Sequence, residues 1–207
     1  MLSVTILNIL QKTCTSVFVI RDQKEAKDVM KNVRNVPHRP EDTGKEMRRK
    51  WQVSCMSMRR NMNKEGENVH QDRMYVLETS SMKGKYFWCV NDKEIAEGDV
   101  GTYKILMNRV KLFSTRLHYN IEGLEYITKD FYVRIGNLSV NNSRREGLIV
   151  EIDARDKDED EARRVKAFAL SLGIVNDETN AKFKRPNIYS YDSYRAWEYL
   201  SAMRELA

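Results

Sequence analysis

The stretch DFYVRIGNLSVNNSRREGLIVEID, Asp130–Asp153, has the pattern of a β-hairpin and decides the fold. Apolar residues occupy alternate positions in both limbs: Phe131, Val133, Ile135, Leu148, Val150 and Ile152. This period of two predicts strands with one buried face. Residues 141–147 lie between the limbs, where Asn tolerates left-handed backbone and Gly accepts positive φ, so the chain can reverse there. Because two strands alone are marginally stable in water, other elements must pack on the hairpin.

The rest of the chain adds more strands and four helices. Strand patterns occur at 3–10, 16–20, 51–58, 73–79, 85–91 and 115–127, the last with Gly123 as a bulge or bend. Helical periodicity occurs at 22–35, from Asp99 onwards, at 158–172 and at 191–206. Since short loops join consecutive strands, we expect antiparallel pairing. The sequence therefore predicts an α+β fold: an antiparallel, barrel-like sheet of about eight strands with flanking helices, in a single domain over 1–207, with residues 36–50 as a flexible insertion loop.

Composition restricts the class of protein. The chain has 207 residues, of which 41% are hydrophobic and 32% charged, which is typical of a globular domain. The three cysteines, Cys14, Cys55 and Cys89, are far apart, which argues against a disulfide framework and favours a reducing compartment. We find no signal peptide and no apolar run long enough to cross a bilayer.

Catalytic and metal-binding patterns are absent from the sequence. There is no G-x-S-x-G elbow, Walker A loop or C-x-x-C pair, and His38, His70 and His118 do not stand at metal-ligand spacing from the cysteines. The acidic run Asp153–Glu161 is interpreted as a solvated helix start, because acids favour helix N-termini. We therefore expect no enzyme activity, no cofactor and no metal.

Two features suggest RNA binding as the alternative function. The stretch Lys83–Val90, KGKYFWCV, partly matches an RNA-recognition strand whose aromatic rings stack on bases, and the net charge is +6. Gly98–Gly101 matches the G-x-x-G loop of KH domains, although a strand rather than a helix precedes it. Core aromatic residues on a strand explain the first stretch better, and basic residues between Lys45 and Arg60 are typical of a solvated loop.

Four segments of the chain occur in a characteristic order. They are Met74-Tyr75-Val76, the predicted helix Leu106–Phe113, the hairpin strands Asp130-Phe131-Tyr132-Val133 and Gly147-Leu148-Ile149-Val150-Glu151, and the last helix from Ser190 to Leu200. In this order they resemble the central strand, the helix that follows it, the hairpin and the last helix of the Mediator complex subunit 20 family. The resemblance covers about residues 50–207.

The resemblance implies a barrel-like, non-enzymatic subunit of the Mediator head module. Such a subunit would pair with Mediator subunit 18, be tethered by the C-terminal helix of Mediator subunit 8, and support RNA polymerase II transcription in the nucleus. No membrane contact is expected, and direct nucleic acid binding is not favoured. Aromatic and Arg side chains dominate protein interfaces, so the candidates for partner binding are Tyr132 and Arg134 on one face of the hairpin, with Tyr191, Tyr194 and Trp197 on the last helix.

Overall fold

One curled antiparallel sheet and four α-helices make up the described part of the chain. The computed structural model describes residues 16–37, 48–60, 73–109, 113–156, 158–174, 186–188 and 190–207. The elements in chain order are β1 (Ser16–Ile20), α1 (Gln23–Arg34), β2 (Arg48–Arg60), β3 (Arg73–Thr79), β4 (Lys85–Val90), β5 (Glu94–Asp99), α2 (Val100–Arg109), β6 (Phe113–Ile127), β7 (Phe131–Val140), β8 (Ser143–Arg144), β9 (Leu148–Ala154), α3 (Glu161–Ser171) and α4 (Tyr191–Leu206).

The predicted hairpin is confirmed as β7 and β9, near one end of the sheet. The strand order is β1-β9-β7-β6-β2-β3-β4-β5, and β8 pairs with β7. Asn141 and Asn142 have φ of 49° and 65°, so they form the two-residue turn between β7 and β8. Gly147, with φ of 106°, then leads into β9. Left-handed backbone at these positions is what the Asn and Gly residues predicted.

The helix α4 lies within the curve of the sheet. Apolar residues from all eight strands of the sheet path form one core cluster with α4. Every residue from Arg195 to Met203 is buried, which indicates that protein surrounds the helix on all sides. The sheet edges reach it too: Arg21, next to β1, bonds Glu205 at 2.7 Å, and Glu97 of β5 accepts a 2.8 Å hydrogen bond from Ser190. A helix therefore occupies the gap between the two edges of the barrel-like sheet.

Both faces of the hairpin strands are buried, so the prediction of one buried face is wrong. All seven residues of β9 are buried. The inner face packs on α4, while α1 and α3 cover the outer face through a second apolar cluster that includes Val29, Val133 and Val165. A third, smaller cluster lies beneath α2, where the rings of Tyr86 and Tyr103 stack at 4.2 Å.

Several predicted boundaries shift in the structure. β2 runs from Arg48 to Arg60, β5 was not predicted, and α3 begins at Glu161 rather than Asp158. No bulge occurs at Gly123, which pairs in register with Gly136; the register shift lies at Ser57/Met58 instead. A Cβ atom at Gly123 would lie 1.8 Å from the carbonyl oxygen of Ile135, so close approach of the two strands requires glycine there.

Some predictions lie outside the described residues. They concern the strand at 3–10, residues 38–47 of the insertion loop, Cys14, His38 and His70. Among the described helices, none combines the length and the hydropathy needed to cross a membrane.

Candidate functional site

A buried ion network connects α4 to the hairpin. The Glu151 carboxylate, fully buried on β9, accepts a 2.7 Å hydrogen bond from Arg134 Nη1 on β7. It also accepts a 2.9 Å bond from Arg195 Nε on α4, together with bonds from Arg195 Nη2 and from the Tyr199 hydroxyl. One carboxylate thus bonds three side chains from two elements.

The charges in this network stabilise one another. Burial favours the neutral form of Glu151, but the guanidinium groups of Arg134 and Arg195 outweigh it and lower its pKa from 4.5 to about 2. Burial and the neighbouring Glu151 carboxylate raise the pKa of Tyr199, whose hydroxyl therefore stays protonated and donates. The network is ionised at neutral pH and satisfied from within the chain.

A second set of side chains extends the network toward the end of the sheet. Arg134 Nε donates to Glu125 Oε2 at 2.6 Å, and its Nη1 lies 3.5 Å from Asp153 Oδ2. Asp153 accepts a 3.2 Å bond from the Tyr191 hydroxyl. The Tyr132 ring lies beneath two guanidinium groups, at 5.6 Å from Arg134 Cζ and 5.7 Å from Arg155 Cζ.

Strand register and helical periodicity create this arrangement. Glu125, Arg134 and Glu151 are direct cross-strand neighbours on β6, β7 and β9, where opposite charges attract. Arg195 and Tyr199 are four residues apart on α4, which places them on one face of the helix. The row of alternating charges across three strands therefore becomes a single ion network when α4 packs against the hairpin and adds Arg195.

The structure brings three of the five predicted partner-binding residues together. Tyr132, Arg134 and Tyr191 surround Asp153 and the neighbouring cations, with Tyr132 and Tyr191 partly exposed and Arg134 only 5% exposed. Tyr194 and Trp197 lie elsewhere on α4, with ring centroids 5.7 Å apart, and Trp197 is 7% exposed. Arg134 and Trp197 therefore contribute to the interior of this chain.

Sequence reasoning missed Glu151, Arg195 and Tyr199 as site residues. The signal for Glu151 was present, because a carboxylate on one limb of the hairpin faces an arginine on the other in the register that the turn sets. No comparable signal marks Arg195 and Tyr199, because their contact with Glu151 depends on how a distant helix packs.

The thiols and acids show no arrangement typical of catalysis or metal binding in the described ranges. No group of three or more His, Cys, Asp and Glu side chains converges as metal ligands in that part of the chain. Burial raises the pKa of Cys55, and burial together with Asp92 raises that of Cys89 to about 11, so both thiols are protonated at neutral pH.

The aromatic strand that suggested RNA binding lies mostly in the interior. Phe87 is 1% exposed in the cluster around α4, and Trp88 is 5% exposed beneath α2. Tyr86 is partly exposed, but its ring stacks on Tyr103. These rings offer no open platform for bases, as the structural explanation of the stretch predicted.

The fold defines an α+β domain in which one antiparallel sheet curls around a helix. The buried arginines Arg134 and Arg195 form ion pairs with the buried carboxylate of Glu151 in the sheet. The family model described as "TATA-binding related factor (TRF) of subunit 20 of Mediator complex" matches residues 12–204. The chain belongs to this family, so the resemblance in the order of its segments is confirmed, and the protein is a Mediator complex subunit. No curated protein sequence matches it significantly.

The chain also matches solved structures, at low sequence identity and with TM-scores of 0.40 or less. The Schizosaccharomyces pombe Mediator head module is 14% identical with a TM-score of 0.35, over 77% of this chain and 94% of that chain. A conserved hypothetical protein from Pyrococcus furiosus is 11% identical with a TM-score of 0.40, over 85% and 98% of the two chains. A protein from Pyrococcus horikoshii is 16% identical with a TM-score of 0.37, over 88% and 98%.

Proposed function

We propose that this protein is a non-catalytic subunit of the Mediator head module, which pairs with Mediator subunit 18 and supports coactivator function in RNA polymerase II transcription in the nucleus. The observation that carries the proposal is the family match over residues 12–204. The C-terminal helix of Mediator subunit 8 would tether the pair to the rest of the head module. The internally paired Glu151 network is consistent with a scaffold, since its side chains bond within the chain.

The partner would contact the end of the sheet where Tyr132 and Tyr191 are partly exposed. Both are aromatic residues with a neighbouring guanidinium group, a combination common at interface hot spots. They are already positioned by the rigid strand β7 and helix α4, so binding would cost little side-chain ordering. Tyr194 remains a third candidate. Arg134 and Trp197 are buried, so replacing either would test stability together with binding.

Co-expression with Mediator subunits 18 and 8 tests the pairing. Size-exclusion chromatography with light scattering should give a stoichiometric complex that survives moderate salt. A monomer that does not associate under these conditions would refute the proposed pairing.

A substitution at Tyr132 tests the location of the interface. Tyr132→Ala should weaken subunit 18 binding by about tenfold, as is common for an aromatic hot spot. Tyr86→Ala is the matched control, because Tyr86 is also a partly exposed tyrosine on a strand but stacks beneath α2. Equal affinities for the two variants, with thermal unfolding showing both folded, would remove Tyr132 from the interface.

A further inference from the structure

A groove with an apolar floor and a basic rim lies between α1 and the tip of the β7–β9 hairpin. Its volume is about 480 Å³. Ala26, Met30 and Leu148 form the floor, and Lys27, Arg144 and Arg145 stand on the rim. We call this feature the basic groove. A second depression of about 310 Å³ continues along α1 and adds Lys31 and Arg34.

The cations of the basic groove form a stripe along one side of α1. Lys27, Lys31 and Arg34 are spaced by four and three residues, so they project from neighbouring turns. All three are exposed, as are Arg144 and Arg145 on the hairpin. Against these five cations the lining has one acid, Glu146. The described lining therefore carries an excess of positive charge.

Both walls of the basic groove are held by the core. Val29 and Val33 anchor α1 beneath the groove at 0% and 1% exposure, and Asn32 Nδ2 donates to the carbonyl of Leu172 at 3.0 Å. On the other wall, the Arg145 amide donates to the Leu138 carbonyl at 2.8 Å. The site is therefore preformed, which reduces the entropy that a ligand must lose on binding.

We propose that the basic groove binds a short, acidic, amphipathic segment of a partner protein. Carboxylates of the segment would pair with the rim, and one or two of its apolar side chains would cover Met30 and Leu148. This combination distinguishes the occupant from a nucleic acid. Grooves that bind single-stranded nucleic acid pair cations with aromatic platforms for bases, whereas the described lining contains aliphatic residues and no aromatic ring. The groove and the Tyr132 surface are separate, so the inference does not depend on pairing with subunit 18.

Fluorescence anisotropy with the full chain tests the proposal. The probe is a labelled synthetic peptide in which Asp and Glu alternate with Leu and Phe. We expect micromolar binding that weakens as salt is raised, because the rim is exposed. Two comparison peptides separate the contributions: one carries Asn and Gln in place of the acids, and the other carries Ser in place of the apolar residues. Both should bind more weakly than the probe.

Substitutions locate the binding site. Lys27→Glu combined with Arg145→Glu should lower the affinity for the probe by about tenfold, since two attractions at exposed positions become repulsions. Met30→Ser should lower the affinity for the probe about fivefold, because an apolar contact is lost. Lys104→Glu combined with Lys166→Glu is the matched control, because both are exposed cations outside the groove lining and the change in net charge is the same. This control should bind the probe nearly as the wild type does.

Circular dichroism melting verifies that each variant is folded. If one of the two charge reversals prevents folding, Arg34→Glu replaces it. Probe binding that is unchanged by the paired reversal would overturn the assignment of the site. Absence of probe binding at low salt would overturn the proposal itself. Binding of a single-stranded RNA in place of the peptide, lost in the same paired variant, would show a nucleic acid surface and also overturn it.

Discussion

Replacing Glu151 by Gln should destabilise the protein by about 3 kcal/mol. The substitution keeps the size of the side chain but removes the charge that faces Arg134 and Arg195 in the interior. The pKa of Glu151 falls from 4.5 to about 2 on folding, which corresponds to about 3 kcal/mol in favour of the ionised form. Breaking a buried ion pair costs about 3–5 kcal/mol in other proteins, in agreement with this value.

Urea unfolding followed by tryptophan fluorescence measures the effect. Trp51 is a suitable reporter, because its ring lies 5.9 Å from that of Tyr199, which bonds Glu151 directly. Since domains are stable by about 5–15 kcal/mol, the variant should lose a large part of the total. The matched control is Glu122→Gln on β6, where the carboxylate accepts a hydrogen bond from Asn120 near the surface; its cost should stay below about 0.5 kcal/mol.

A loss below about 1 kcal/mol for Glu151→Gln would refute the reasoning. It would mean that the two arginines are satisfied without the charge of Glu151, so that their attraction to it contributes little to stability. A loss equal to that of the Glu122 control would carry the same conclusion.

Three further predictions follow from acid–base behaviour and packing. Because the folded pKa of Glu151 is depressed, the stability that its carboxylate contributes is complete above about pH 4.5 and is lost as the pH falls through about 2. The difference in unfolding free energy between wild type and Glu151→Gln, measured in urea, should therefore shrink to about 1 kcal/mol near pH 3. A difference that does not change with pH would contradict this. Gly123→Ala places a Cβ atom 1.8 Å from a carbonyl oxygen of β7 and should lower the unfolding free energy by more than about 3 kcal/mol. Gly84 has a φ of 79° but open space around it, so Gly84→Ala should lower the unfolding free energy by only about 1 kcal/mol in the same assay. Cys55 and Cys89 should resist iodoacetamide in the native protein and react in denaturant, as read by peptide mass spectrometry, and rapid native labelling would contradict their burial and raised pKa values.

The fold was predictable where local chemistry decides it. Alternation in Phe131–Val140 and Leu148–Ala154, together with the turn preferences of Asn141 and Asn142, predicts the hairpin without any distant contact. The boundaries of α4, Tyr191–Leu206, also agree with the helical periodicity of the sequence. These elements carry their own signals because strand pairing across a tight turn and apolar spacing within one helix are local.

The candidate site was less predictable because it depends on tertiary packing. Glu151 alternates with apolar residues and therefore has the pattern of a solvent-facing position, yet α4 covers it completely. Arg134 was expected at a partner surface for the same reason and lies inside the chain. Strand β5, EIAEGD, was missed because few of its residues are apolar; only Ile95 is buried, and its pairing with β4 is set by the neighbouring strand.

The position of α4 has a consequence for how the protein is made. All nine strands of the described residues leave the ribosome before this helix does, at about 5–20 residues per second. During that interval the concave face of the nascent sheet, including Val53, Ile121 and Leu138, has no helix to cover it. The strands must also join β1 to β9 across more than half of the chain, a contact of the kind that forms slowly. We therefore expect newly synthesised chains to be most exposed to aggregation just before α4 emerges.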